Sequence, residues 1–209
     1  EAHKLFQAAQ HAPHIAIVGG GYAGVEMAEG YIKSGHKVTL FQHNKQLLDE
    51  YTDPVIAKKI QDLLEEHGVR VFTGTRVKQF SDLPNEKVQI ITDKGDYEAD
   101  MITICPGVIP QSDLLKGQVK LAKNGAIITD PYMGTSDPDI FAAGDATEVN
   151  FNPTLSQIYV PLASHAIRQG TLAGINVLDK RLKSIGTQAT TGMLLFGQTV
   201  ACTGLTLAK

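Results

Sequence analysis

Short apolar runs separated by glycine-rich turns dominate the first part of the chain. The run His14–Val18 ends in three glycines, helical spacing of apolar residues follows over Val25–Lys33, and Lys37–Phe41 is again β-like. Gly35 stands where the helix should stop. This order predicts a strand, a helix and a second, parallel strand.

A second helix and strand continue the same alternation. Thr52 or Asp53 is expected to cap a helix that has Pro54 in its first turn and runs to Gly68, before the strand Val69–Phe72. Repeated units of this kind predict an α/β fold, a Rossmann-like doubly wound domain.

The pattern then changes to alternating, β-rich segments. Val77–Phe80 and Val88–Thr92 are predicted strands, Asp93–Asp96 is a turn, and Met101–Cys105 is the next strand. We expect a β-meander packed on the edge of the first sheet. Pro106–Pro110 then breaks the chain and is the best candidate for a domain crossing.

The second half of the chain is less regular. Gly125–Thr129 and Ile140–Ala143 are predicted as short strands, Pro161–Leu178 as a helix, and Thr190–Leu207 as strands of a third unit that is cut short.

Composition narrows the function classes. The 209 residues, 43% hydrophobic and 20% charged, suffice for one full domain and part of a second. A net charge of −3 provides no basic surface for nucleic acid. No apolar run reaches the roughly 18 residues of a membrane span, and the N-terminus has no secretory pattern, so we expect a soluble, cytoplasmic protein without a membrane partner.

Two cysteines, Cys105 and Cys202, lie far apart in apolar stretches. Their spacing excludes a CxxC redox pair and a zinc cluster built from neighbouring residues, so no metal site is predicted. We expect both to be buried structural thiols.

The glycine turn after the first strand has the spacing of a dinucleotide site. Gly19 permits a tight turn, Gly21 lets the backbone approach a pyrophosphate, and Gly24 lets the helix pack close to the strand. The helix N-terminus adds N–H groups and a positive dipole end.

The residue at the end of the second strand is normally an acid that binds the adenosine ribose. Here it is Gln42, which does not exclude NADPH, and His43 or Lys45 could reach a 2′-phosphate. One hypothesis is therefore a relaxed preference between NADH and NADPH. The alternative is that these are solvated loop residues and NADH remains favoured.

Five segments together resemble the pyridine nucleotide-disulfide oxidoreductases, in the branch of NADH peroxidases, NADH oxidases and coenzyme A-disulfide reductases. They are Gly19–Glu29, Lys37–Gln42, Pro106–Pro110, Thr135–Ala146 and Val160–Gly170. The match covers nearly the whole chain in order.

This resemblance implies roles for individual residues. Tyr22 would lie over the flavin as a gate to the nicotinamide pocket, Glu26 would accept a hydrogen bond from the nicotinamide carboxamide, and Tyr51 would contact the adenine nucleotide. The plainer readings are an aromatic cover for Tyr22 and a first-turn acid for Glu26. Gly107 would lie along the cofactor, and Gly192 near the nicotinamide.

The resemblance also implies a flavin side. Asp145, at the end of Asp139–Asp145, would accept a hydrogen bond from a ribityl hydroxyl of FAD, and a helix beginning at Pro161 would direct the N–H groups of Leu162 and Ala163 at the flavin. We interpret His165 in that helix as structural. The complete set of predicted cofactor-binding residues is Gly19, Gly21, Tyr22, Ala23, Gly24, Glu26, Gln42, Tyr51, Gly107, Asp145, Pro161, Leu162, Ala163 and Gly192.

By the same resemblance, residues 1–107 form an NAD(P)-binding domain, 108–180 the C-terminal part of an FAD-binding domain, and 181–209 the beginning of an α+β dimerisation domain. The first flavin turn and the redox cysteine of the family would lie upstream. We therefore expect a fragment that is inactive alone and contributes no catalytic residue of its own.

The resemblance implies an intact homo-oligomer that passes hydride from NAD(H), and possibly NADP(H), through FAD and a cysteine to hydrogen peroxide, oxygen or a disulfide. A coenzyme A-disulfide or ferredoxin-type reductase and a non-catalytic NADH-binding module are the alternatives.

Overall fold

The computed structural model describes residues 2–179 and 181–207. Within these ranges the chain forms two compact units. The first contains residues 2–107, 192–202 and 206–207, and the second contains 108–179, 181–191 and 203–205.

The helices are α1 (Ala2–Ala9), α2 (Tyr22–Lys33), α3 (Pro54–Glu66) and α4 (Ala163–Asn176). The strands are β1 (His14–Val18), β2 (Lys37–Phe41), β3 (Val69–Phe72), β4 (Val77–Asp82), β5 (Val88–Thr92), β6 (Asp96–Ala99), β7 (Met101–Ile104), β8 (Val149–Phe151), β9 (Ser156–Ile158), β10 (Thr191–Leu195) and β11 (Gln198–Cys202). None of the described helices is long and apolar enough to cross a membrane.

The first unit is built on a parallel sheet with strand order β3-β2-β1-β7. In the middle of the sheet, Ile17 of β1 lies opposite Leu40 of β2 and Thr103 of β7. The predicted α/β fold with a parallel sheet is therefore confirmed. Parallel pairing brings the carboxyl ends of β1, β2 and β7 to one edge, where ligands bind in folds of this class.

The two faces of this sheet are covered by different layers. Ile15 and Ile17 point to the side of α2 and α3, whereas Ala16 and Phe41 contact Ile90 of β5 and belong to the opposite layer. Strands β4, β5 and β6 form a separate antiparallel sheet on that opposite side. The expectation that the meander packs on the sheet edge is wrong, because β3 and β7 are the edge strands and the meander buries its apolar side chains against a face.

The hairpin formed by β10 and β11 belongs to the first unit. Met193 and Leu195 are buried in the core that includes β1 and β2. The backbone N–H of Phe196 donates a hydrogen bond of 2.7 Å to Glu29 of α2, and the Phe196 ring stacks on His67 with ring centroids 3.8 Å apart. These contacts attach the tip of the hairpin to α2 and to the end of α3.

The second unit contains fewer strands than the sequence predicts. The predicted strands Gly125–Thr129 and Ile140–Ala143 are wrong: Ile127 and Phe141 form only isolated bridges. Backbone pairing at single positions does not extend into a ladder, so these segments run as extended loops. The short antiparallel hairpin β8–β9 was not predicted.

Two helix starts differ from the expectation, and the third, that of α3 at Pro54, is as predicted but lacks the expected side-chain cap. Helix α2 begins at Tyr22, ahead of Val25, so its first turn follows the glycines directly. Asp53 is the N-cap residue of α3 but makes no side-chain cap, and its carboxylate accepts a hydrogen bond of 2.8 Å from the N–H of Leu207. Pro161 precedes α4, which begins at Ala163 after an extended Leu162.

Candidate functional site

The first glycine of the turn is required by the backbone. Gly19 has φ of +113°, and a Cβ there would lie 2.1 Å from the carbonyl oxygen of Cys105. Its N–H donates a hydrogen bond of 2.9 Å to the carbonyl of Phe41. The turn is therefore packed against the ends of both neighbouring strands, β2 and β7, and only glycine fits there.

The second and third glycines have different surroundings: Gly21 borders open space and Gly24 borders the backbone of the turn. Gly21 is the N-cap residue of α2, and a Cβ added to it would meet nothing within 4 Å. A Cβ on Gly24 would lie 1.8 Å from the carbonyl oxygen of Gly19, so this glycine permits close packing of the helix on the turn. The turn thus has one open side, at Gly21, beside the N–H groups of a helix start.

A cavity of about 370 Å³ lies on that open side, at the carboxyl ends of β1, β2 and β7. It is lined by Val18, Gly19, Gly20, Gly21, Phe41, Gln42, His43, Asn44, Leu48, Asp49, Glu50, Tyr51, Thr75, Arg76, Val77, Cys105, Pro106 and Gly107. Five predicted site residues, Gly19, Gly21, Gln42, Tyr51 and Gly107, are therefore brought together from four separate parts of the chain.

Gln42 is buried, with 4% of its surface exposed, and it is not a solvated loop residue. Its Oε1 accepts a hydrogen bond of 3.2 Å from the N–H of Gly20. Its Nε2 donates to Asp49 Oδ1 at 3.2 Å and to the carbonyl of Gln46 at 3.4 Å. The side chain links the glycine turn to the loop that follows β2.

Asp49, which the sequence analysis did not single out, is held at the cavity wall by two side-chain amides. Gln42 donates to its Oδ1, and Asn44 Nδ2 donates to its Oδ2. The preceding residue, Leu48, is buried and donates its N–H to the carbonyl of Gly20 at 2.9 Å. The sequence signal that could have identified Asp49 is its place seven positions after Gln42, the residue that stands where an acid normally follows β2.

Tyr22 packs against Tyr51, with ring centroids 4.8 Å apart and the rings inclined by 57°. Its hydroxyl lies 3.4 Å from Cys202 Sγ. Two predicted aromatic site residues therefore contact each other beside the glycine turn, with β11 on the other side of Tyr22.

The remaining predicted residues of the first unit do not line this cavity. Glu26 is exposed in the second turn of α2, where it borders a groove with α1, so its reading as a first-turn acid is wrong. Ala23 is exposed in the first turn. Gly192 is an exposed residue of β10.

Neither cysteine is fully buried, which corrects the expectation. Cys105 follows β7, and burial raises the pKa of its thiol. A raised pKa disfavours the thiolate, so the Cys105 side chain is a poor nucleophile. The contribution of Cys105 to the site is its backbone carbonyl, which packs on Gly19.

The second unit holds Asp145 in a one-turn 3-10 helix, Gly144–Ala146. The Asp145 side chain is exposed, and the preceding Gly144 has φ of +78°. Buried Gln169 of α4 accepts hydrogen bonds from Gly144 N–H at 2.8 Å and from the Thr147 hydroxyl at 3.2 Å. Gln169, which sequence reasoning missed, fixes the turn that presents Asp145.

Tyr159 closes the same turn, because its hydroxyl donates a hydrogen bond of 3.0 Å to the Asp145 carbonyl. Burial, followed by the nearby Asp145 charge, raises the pKa of Tyr159, which keeps the hydroxyl a donor. Ahead of α4, Leu162 has no capping side chain. The first N–H groups of α4, starting at Ala163, therefore remain directed out of the helix end.

His165 makes hydrogen bonds with both ring nitrogens. Nδ1 lies 3.3 Å from the Val160 carbonyl and Nε2 lies 2.7 Å from the Thr187 hydroxyl. The carbonyl can only accept, so Nδ1 carries a proton and Nε2 accepts from Thr187 in the neutral ring. This bridge between the start of α4 and a later loop supports the structural interpretation.

Three comparisons place this arrangement among known proteins. An NADH oxidase of Enterococcus faecalis (strain ATCC 700802 / V583) is 40% identical over 99% of this chain and 46% of its own length. The structure of the water-forming NADH oxidase from Lactobacillus brevis bound to NADH matches with a TM-score of 0.96 and 44% identity, over 99% of this chain and 46% of that one. An NAD-dependent persulfide reductase from A. fulgidus matches with a TM-score of 0.94 and 30% identity, over 100% of this chain and 39% of that one.

The chain thus spans less than half the length of these relatives. The family profile described as pyridine nucleotide-disulphide oxidoreductase matches residues 1–170, which include both the glycine turn and the Asp145 turn. With the parallel sheet and the order of the two turns, this match makes the chain a member of the pyridine nucleotide-disulphide oxidoreductase family.

Proposed function

We propose that this chain binds the nicotinamide cofactor in an NAD(P)H-dependent flavin oxidoreductase. The observation that carries the proposal is the cavity at the carboxyl ends of β1, β2 and β7, onto which the glycine turn opens at Gly21. In the intact enzyme, hydride would pass from NAD(P)H to FAD, and electrons would continue through a cysteine outside this chain to oxygen or a sulfur acceptor.

The cavity suits a dinucleotide in three respects. A pyrophosphate fits the open side of Gly21, where the helix start supplies N–H donors and the positive dipole end. Tyr51 offers an aromatic wall on the side of the adenine nucleotide, and Gly107 leaves the backbone at the β7 end free of side-chain bulk. Tyr22, whose ring packs against Tyr51, would cover the nicotinamide end.

The residues of the second unit suit a flavin. Asp145 is exposed on a turn fixed by Gln169, so its carboxylate is available to a ribityl hydroxyl. The N–H groups of Leu162 and Ala163, at the start of α4, would stabilise negative charge on the flavin pyrimidine edge. When bound, FAD supplies the two-electron acceptor for the hydride, and the protein holds and orients it.

Among the acceptors, we favour oxygen, because the two most identical relatives described above are NADH oxidases. A persulfide or other disulfide is the second candidate, supported by the persulfide reductase. Hydrogen peroxide remains a third. The proposal has three further parts: domain boundaries at residues 107 and 180, a homo-oligomeric intact protein, and a cytoplasmic location.

The proposal is tested first by titrating the chain with NADH and following the nicotinamide fluorescence. Saturable binding that Gly21→Ala weakens supports the cofactor site, and the absence of binding contradicts it. The complete gene product is then reduced with one equivalent of NADH without oxygen. Bleaching of a yellow spectrum supports the flavin enzyme, whereas a colourless protein that binds NADH indicates the non-catalytic module.

Oxygen uptake and thiol release separate the acceptors. The gene product is mixed with NADH and either air or a persulfide under argon. An oxidase consumes oxygen without releasing thiol, and a reductase releases thiol under argon.

A further inference from the structure

The position that normally selects the adenosine ribose is occupied by an amide that faces inward. In Gln42 the carbonyl oxygen binds Gly20 N–H, and the amide nitrogen binds Asp49 and Gln46. The partners fix which end is which, since Gly20 can only donate and Asp49 accepts. Both ends of the Gln42 amide are thus hydrogen-bonded within the protein, and a different group must bind the ribose.

Asp49 is the acid that the Gln42 amide holds in place through a hydrogen bond. One oxygen accepts from Gln42 and the other from Asn44, and each carboxylate oxygen can accept two hydrogen bonds. Two acceptor sites therefore remain, the number that the neighbouring 2′- and 3′-hydroxyls of a ribose require. Both donors, Gln42 and Asn44, lie directly after β2, and the N–H of Leu48 is bound to the carbonyl of Gly20.

The charges around the cavity favour an uncharged ribose. Its ionised side chains are the carboxylates of Asp49 and Glu50 and the guanidinium of Arg76; His43 also lines it. Glu50 and Arg76 are exposed, whereas Asp49 is partly buried and held from two sides. A 2′-phosphate next to Asp49 would meet a negative charge that two side-chain amides hold in place.

We infer that Asp49 takes the place of the acid missing from the end of β2 and selects NADH over NADPH. Its carboxylate accepts hydrogen bonds from the adenosine ribose hydroxyls and repels a 2′-phosphate. This inference rests on the proposed cofactor site and decides between the two hypotheses for Gln42 in favour of NADH.

The test compares dissociation constants for NADH and NADPH, measured by nicotinamide fluorescence on the full chain. The unmodified chain should prefer NADH by about tenfold or more, the effect expected of one charge pair near a protein surface. Asp49→Asn keeps the shape, removes the charge and should bring the ratio close to one. Asp82→Asn, an exposed residue at the end of β4, is the charge-matched control and should leave the ratio unchanged.

A second variant guards against local unfolding. Gln42→Asp combined with Asp49→Asn moves the acid back to the end of β2 and should restore the preference for NADH. Glu50→Gln tests the neighbouring acid and should change the ratio less than Asp49→Asn does.

Several results would overturn the inference: NADPH bound by the unmodified chain as tightly as NADH, an unchanged ratio in Asp49→Asn, or a larger change in Glu50→Gln. A chain that binds neither cofactor would instead contradict the proposed function.

Discussion

At the scale of single residues, the glycine turn separates what the fold needs from what a ligand needs. Gly19 is enclosed by protein and has a positive φ, whereas Gly21 has φ of −78° and an open side. The two positions are two residues apart, yet the same substitution should have different consequences at each.

Gly21→Ala should leave stability nearly unchanged, within about 0.5 kcal/mol, because the new methyl group meets no protein atom. The methyl group would occupy the path of the pyrophosphate, so NADH affinity should fall at least about tenfold. Gly19→Ala should lower the free energy of unfolding by about 1–3 kcal/mol or more, so the chain should unfold at a lower denaturant concentration. Urea unfolding and NADH titration of both variants check this pair, and equal stability losses would contradict it.

His14 should make stability depend on pH. The side chain is half-buried beside Thr39, and burial, with Arg70, Lys37 and Lys87, lowers its pKa below 6.5 although Asp100 raises it. The unfolded chain therefore takes up the proton first as pH falls. Stability from the neutral ring should be present above pH 6.5 and be lost as pH falls through the lower pKa of the folded state.

His14→Gln keeps a hydrogen-bonding group near Thr39 and removes the titration. Thermal unfolding at a series of pH values should show a smaller loss of stability below pH 6.5 in this variant than in the unmodified chain. His11→Gln, at an exposed position, is the control and should retain the original pH dependence. Parallel curves for His14→Gln and the unmodified chain would refute the assignment.

At the scale of elements, α4 is coupled to the Asp145 turn through Gln169. Gln169→Ala leaves the N–H of Gly144 without its acceptor, which should cost about 1–3 kcal/mol, whereas the Thr147 hydroxyl keeps the Gly144 carbonyl as an acceptor at 2.9 Å. Denaturant unfolding measures the loss. Gln157→Ala, in exposed β9, is the matched control and should cost less than about 0.5 kcal/mol. A similar cost in both variants would mean that the turn does not depend on Gln169.

The elements that the sequence predicted well are those whose signals are local. Strands β1, β2 and β3 were correctly placed because each is a short, mainly apolar run with a glycine within two residues of one end. Helix α1 was not predicted because it precedes the first motif. The hairpin β8–β9 was not predicted because each of its strands is only three residues long. The predicted strand at Gly125–Thr129 failed because β-like composition does not specify a partner along its length.

The site was predictable to the same extent. The glycines and Tyr51 come together because strand order determines where their loops emerge. The direction of the Gln42 amide and the choice of Asp49 depend on side-chain packing across a loop, which no spacing encodes. Gln169 was missed for the same reason, since its partners lie more than 20 positions away.

At the scale of the whole molecule, the cavity and the Asp145 turn lie in different compact units. Ligand binding stabilises the unit whose groups contact the ligand. NADH should therefore slow amide hydrogen exchange in residues 19–24, 42–51 and 105–107 by several-fold and leave 144–147 and 163–166 almost unchanged. Exchange measured by mass spectrometry with and without saturating NADH checks this expectation.

Addition of FAD is the complementary experiment and should protect 144–147 and 163–166 if it binds. Protection by NADH confined to the second unit would contradict the placement of the cofactor in the cavity.

The link from Gly20 through Gln42 to Asp49 also bears on how sequences of this kind diverge. An acid at position 42 would place a second carboxylate against Asp49, and the two would repel. Descendants of this chain should therefore carry an acid at one of the two positions and rarely at both. Substitution at one site changes which residues are tolerated at the other, so cofactor preference is inherited as a property of the pair.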